Sequence, residues 1–173
     1  MIVLGIDPGY RNLGLAVLRV SDYGAERLWS GTWSVGPADK GVDFAKLLWP
    51  RLEKLDLQYN IEAIATETPP FIQRQIKTTA LLWAVSSVIA AWAVHRGISV
   101  EHASPIAIKR ATARALKLPW NRKFIPKKRD IKLVVKQYCD TSGRTNHEDV
   151  AALAAILLYT KLIPNAKPCA ERT

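Results

Sequence analysis

The sequence predicts an α/β fold in which a mixed central sheet is flanked by helices, and three observations predict it. Apolar runs of strand length open the chain at 2–7 and 13–17 and return at 61–67. Stretches of helical period lie between and after them. The segment order β-β-β-α-β-α-β-α-α-α then calls for antiparallel neighbours at the start, where turns are tight, and parallel neighbours after each helical crossover.

Taken in order, Ile2-Val3-Leu4-Gly5-Ile6-Asp7 reads as a buried strand, Pro8-Gly9 turns it, and 13–17 comes straight back. A third strand is expected at 27–35, with Trp29 and Trp33 spaced for one sheet face. Apolar residues at 44, 47, 48, 52 and 55 mark an amphipathic helix over 42–59, with Pro50 expected to kink or interrupt it. Residues 61–67 return as a strand parallel to the first. The next helix, 77–95, is apolar nearly all round and closes at Gly97. Such a helix is covered on two sides, either within the monomer or by a second copy, and a homodimer anchored by Trp83 and Trp92 is the expectation. A short strand at 98–102, a helix at 106–116 after Ser104-Pro105, a basic loop at 117–128, a helix at 129–138 and an Ala/Leu-rich helix opening at Asn146 complete the pattern. Residues 1–160 are read as one domain and 161–173 as a short tail.

The chain of 173 residues carries a formal charge of +10 and a pI near 9.8, which points to a polyanionic partner. Eleven Lys or Arg fall between Lys109 and Lys136 against the single acid Asp130, and Trp120 and Phe124 sit among them. That is the electrostatic footprint of a nucleic-acid binder, a solvated basic face being the plainer alternative. Cys139 and Cys169 have no metal-ligand spacing and are expected as reduced thiols. The best apolar run, 81–94, is read as too short for a membrane span and broken by Ser86-Ser87; with no cationic leader ahead of the first strand, a cytoplasmic protein is expected, in a cell or a phage-infected host.

Chemistry concentrates in the carboxylates. Asp7 closes one apolar strand and Glu67 another, where an unpaired charge costs several kcal/mol. An Asx-type turn would satisfy Asp7 alone. Asn146-His147-Glu148-Asp149 brings acids to the first turn of the last helix. Two strand ends and a helix start converging on one point would hold hard divalent cations, the arrangement of paired-metal phosphodiester cleavage.

Gly5-Ile6-Asp7-Pro8-Gly9 followed by Gly14-Leu15-Ala16-Val17, then Ala65-Thr66-Glu67, then an acid at the start of an Ala-rich last helix, resembles the RuvC-type Holliday junction resolvases of the RNase H-like superfamily. The resemblance runs from residue 1 to about 159. It implies an RNase H-like fold and a homodimeric, structure-selective endonuclease that nicks opposed strands of four-way or related branched DNA. It also implies two Mg²⁺ ions per site, with Mn²⁺ as a substitute. Asp7 and Glu67 match the first two catalytic carboxylates. Ile108-Lys109-Arg110 and Lys128-Arg129-Asp130-Ile131 resemble the basic segments near the cleaved phosphate, so Lys109 and Lys128 inherit that role. Arg110, Arg122, Lys123 and Lys127 are expected on DNA, and Phe71 lies near the position of an aromatic that stacks at the junction centre, offset by one residue, an ordinary loop anchor being the equal alternative.

The last motif departs from the family's Asp-x-x-Asp or His-x-x-Asp, because the spacing from Asp149 lands on Asn146. Asp149 is read as the third metal ligand and catalytic acid, with Asn146 as a neutral oxygen donor or helix cap. Glu148 or His147 is the alternative replacement for the missing group, Glu148 only if the helix starts later, while His147 is expected to face outward or toward DNA rather than to bind Mg²⁺. Two other readings stay open: an RNA-processing nuclease of YqgF type, and a junction-binding protein with an impaired metal site.

Overall fold

The structure, a computed structural model, describes residues 1–34, 42–69, 75–118, 125–139 and 146–160, with backbone alone at 42–45 and 146. Its centre is a five-stranded mixed sheet of order β3-β2-β1-β4-β5. β1 (Ile2–Asp7), β2 (Asn12–Ser21) and β3 (Gly24–Ser34) form an antiparallel meander, while β4 (Ala63–Glu67) and β5 (Ser99–Ala103) add in parallel beside β1. The β2–β3 hairpin is longer than the apolar pattern indicates: Val20 still packs into the core at its outer end, where Arg19 and Glu26 pair across the strands.

Strand alternation assigns the two faces of the sheet. Val3, Ala16, Leu18, Val20, Ala63, Ala65 and Ala103 pack beneath α3 (Pro105–Ala115), α4 (Lys128–Tyr138) and α5 (Asn146–Tyr159). Leu4, Ile6, Leu13, Leu15, Val17 and Ile64 face α1 (Val42–Tyr59) and α2 (Ile76–Arg96). The small residues on the first face let α5 lie directly on the sheet. A Cβ on Gly5 would meet the Ala151 carbonyl oxygen at 2.0 Å, and one on Gly14 would meet the His147 backbone at 2.5 Å.

Three expectations are corrected. α1 runs unbroken from 42 to 59 through Pro50. Pro50 and Lys46, one turn before it, both lie on the exposed side, so the missing Pro50 N–H leaves no buried gap in the helix. α2 extends over Ile76–Arg96 and is long and apolar enough by composition to cross a membrane, contrary to the reading of 81–94 as too short. Its Val85, Ile89, Trp92 and Ala93 are nevertheless buried in the α1–α2 core, as in a core helix. Trp92 is therefore no interface anchor: it is fully buried and donates from Nε1 to Glu53 at 2.9 Å, whereas Trp83 is 46% exposed. Gly97 does cap α2, at φ +68°.

Candidate active site

Alternation also aims the first two acids. Val3 and Gly5 face α5, so Asp7 does too; Ala63 and Ala65 face α5, so Glu67 follows. β1 and β4 are parallel and paired through Ile6 and Thr66, which leaves Asp7 and Glu67 side by side one step further on, at the carboxyl ends of neighbouring central strands. Burial pushes the Glu67 carboxyl up to about 8, and the charge of Asp7 and the hydrogen bond they share push the same way. Lys128 and Lys109 pull it back down, so the charges at the first turn of α4 and the middle of α3 lie within electrostatic reach of the carboxyl. Arg110 and Lys127 are exposed beside them, Lys127 at the α4 start where its backbone N–H donates to Asp130 at 2.7 Å.

The start of α5 is arranged differently from the sequence expectation. His147, expected outward, has Nδ1 2.5 Å from Asp7 Oδ2. Asp149, expected at the metals, is fully buried against Arg27 of β3, with Nη2 to Oδ1 at 3.1 Å. Glu148 accepts from Ser30 Oγ and Thr32 Oγ1, each at 3.1 Å. Successive helix residues diverge by 100°, so the three side chains of 147–149 cannot share a target. Packing of the helix on β2 and β1 gives the target to His147. Three and four residues on, the same helix side carries Val150 and Ala151, so no acid follows His147 there. The side chain of Asn146, together with Phe71, Arg122 and Lys123, lies outside the described residues.

Asp7, Glu67 and His147 line a cleft of about 310 Å³ with Tyr10, Arg11, Asn12, Thr68 and Leu82. The β1–β2 turn supplies one wall, closed by the Gly9 N–H donating to the Asp7 carbonyl at 2.9 Å. Among the described residues no three His, Cys, Asp or Glu side chains stand ready as a metal cage. The chemistry of the pair still fits a hard cation. Two carboxylates at one buried point repel, and one must keep its proton unless a positive ion replaces it. Sequence reasoning ranked His147 below Asp149, because no periodicity told which residue of 146–149 faces the sheet, and it missed Arg27, whose placement depends on a strand irregularity.

The sequence matches the family of the crossover junction endodeoxyribonuclease RuvC over residues 3–117, a stretch that contains Asp7, Glu67 and Lys109. RuvC of Thermus thermophilus is 30% identical over 116 residues, 65% of this chain and 69% of that protein. RuvC of Chlorobaculum parvum is 31% identical over 113 residues, 64% of this chain, and the match spans 59% of that protein's length. RuvC of Pseudothermotoga lettingae aligns at 27% identity over 99% of this chain and 88% of its own. Among solved structures, T. thermophilus RuvC in complex with a Holliday junction substrate shares the fold with a TM-score of 0.74 at 23% identity, covering 90% of this chain and 91% of that one. The yeast mitochondrial Holliday junction resolvase Ydc2 follows with a TM-score of 0.59 at 16% identity, covering 89% and 74%. The matched stretch holds the opening hairpin and both paired carboxylates, and the chain belongs to the RuvC family of crossover junction endodeoxyribonucleases.

Proposed function

We propose that this chain is a homodimeric endonuclease that resolves four-way or related branched DNA by metal-dependent phosphodiester hydrolysis. The observation that carries the reading is the Asp7–Glu67 pair, two carboxylates forced together in a basic surround. Asp7 and Glu67 would hold two Mg²⁺ ions, or Mn²⁺ in their place, with His147 orienting the Asp7 carboxylate through Nδ1. The bound ions supply an activated water and charge stabilisation at the leaving oxygen. Lys128 and Lys109 offset charge on the phosphate, and Arg110, Lys127, Arg122 and Lys123 hold flanking backbone. Phe71 is assigned to contact with the junction centre.

The test is Mg²⁺-dependent nicking of matched four-way, flap and linear substrates by the wild type, Asp7→Asn and Glu67→Gln. Each variant is expected to bind the junction within about threefold of wild type and to lose nicking by at least about a thousandfold, the scale of losing a group that acts only in the transition state. A variant that keeps more than a few per cent of the rate refutes the ligand assignment. One observation favours a second reading: Val150 and Ala151 stand where a further acid would follow His147, as in a protein that binds junctions without cutting them. Tight junction binding by the wild type with no nicking in Mg²⁺ or Mn²⁺ would decide for it.

A further inference from the structure

β3 carries a register shift opposite Val17 and Leu18: Val17 pairs with Trp29 and Leu18 with Arg27, leaving Leu28 as the extra residue. The bulge reverses alternation along the strand. Beyond it, Ser30 and Thr32 face α5 while Trp29 and Trp33 join the opposite core; before it, Leu28 stays with that opposite core and Arg27 turns to α5. Without the bulge Arg27 would point to the other side of the sheet. Three side chains of one strand therefore reach the first turn of α5, Arg27 on Asp149 and the two hydroxyls on Glu148.

The ion pair is a weak choice for stability. The Arg27 side chain is 4% exposed, and its Nε and Nη1 are buried without a hydrogen-bond partner among the described residues. Desolvating a guanidinium for one bond returns little against an apolar replacement. What two adjacent anchored acids do provide is a single rotation of the helix. A turn of α5 by one residue would carry both acids away from β3 and swing His147 about 100° from Asp7.

We propose that Arg27 is a positioning residue: the bulge at Leu28 delivers it to Asp149, and with Ser30 and Thr32 it fixes the rotation of α5 that aims His147 at Asp7. The catalytic consequence rests on the nuclease reading above, whereas the positioning can be read without activity. The experiment uses ¹³C,¹⁵N-histidine-labelled protein without added metal; with three histidines in the chain, His147→Gln assigns the ring signals. In the wild-type background, Asp7→Asn is expected to shift the His147 ring resonances. Arg27→Met takes the cation from a buried carboxylate and can fail to fold, so the deciding variant is Arg27→Met/Asp149→Leu, which removes both charges and is expected to melt within a few degrees of wild type. In it the His147 ring no longer responds to Asp7→Asn, while Arg27→Lys, which keeps the charge, retains the response. Junction nicking by the double variant should fall at least tenfold in kcat with junction Kd within twofold. A purely structural pair would instead give a stable double variant whose His147 ring still responds. That result, or a wild-type ring insensitive to Asp7→Asn, overturns the proposal; a lost response in a protein whose wild type never nicks DNA refutes the nuclease reading alone.

Discussion

With a folded-state value near 8 against an ordinary 4.5, Glu67 holds a proton in the metal-free protein that the unfolded chain has already released at neutral pH. The folded state binds more protons across this window, so its stability falls as pH rises from about 4.5 to about 8 and levels off above. Thermal unfolding in chelator should show that slope for the wild type and a flatter one for Glu67→Gln, which is expected to melt a few degrees higher than wild type at pH 8.5. Equal pH profiles would mean that burial and the neighbouring Asp7 do not hold a proton on Glu67. Asp7 and Glu67 were legible in the sequence because an acid closing an apolar strand has few structural excuses. His147 was not, because the four polar residues 146–149 offer no pattern that ranks one above another. The places of His147 and Asp149 come from contacts with β1 and β3 more than a hundred residues away.

The elements that matter most to the site are β1, β2 and α5, which approach so closely that glycine is required on the strands. Gly14→Ala would place a methyl 2.5 Å from the His147 backbone, and Gly5→Ala would place one 2.0 Å from the Ala151 carbonyl oxygen. Both are expected to destabilise, on the order of 1–3 kcal/mol or more for overpacking. They should differ in function. Gly14→Ala acts on the helix start and should displace His147, so that nicking falls further than the loss of folded protein accounts for. Gly5→Ala pushes one turn deeper and should cost stability first. Measuring residual activity against folded fraction separates the two, and equal ratios would remove the special role of the α5 start. Strand and helix positions were readable from period and punctuation, as at Gly97 and Ser104, whose side chain accepts from the Ala107 N–H at 3.1 Å. The bulge at Leu28 was not, since an alternating strand and a bulged one differ by a single residue of register.

Across the whole molecule, the formal charge is +10, eleven Lys or Arg fall within the sequence span 109–136, and Lys109 and Lys128 of that span act on the Glu67 carboxyl. Junction affinity should therefore drop by about a hundredfold or more between 50 and 200 mM salt as phosphate contacts release counterions, and a flat dependence would count against the basic face as the DNA surface. A four-way junction presents two equivalent scissile strands, and one chain offers one carboxylate pair, so cutting both strands together asks for two copies in a fixed relation. α2 is the element with an apolar side left over: its inward side holds Val85, Ile89 and Trp92, while Ile76, Trp83 and Val94 remain exposed at 72%, 46% and 79%. In the proposed homodimer the α2 face toward Trp83 would be the two-fold contact, and Leu82, the neighbouring residue, lines the cleft. Trp83→Glu should leave the melting temperature nearly unchanged, shift the sedimentation mass from two chains to one at micromolar concentration, and convert paired nicks on a junction into single, unlinked ones. Wild-type protein that sediments as one chain both alone and on junction DNA would refute the dimer, and paired cutting would then require a second binding event instead of a second subunit.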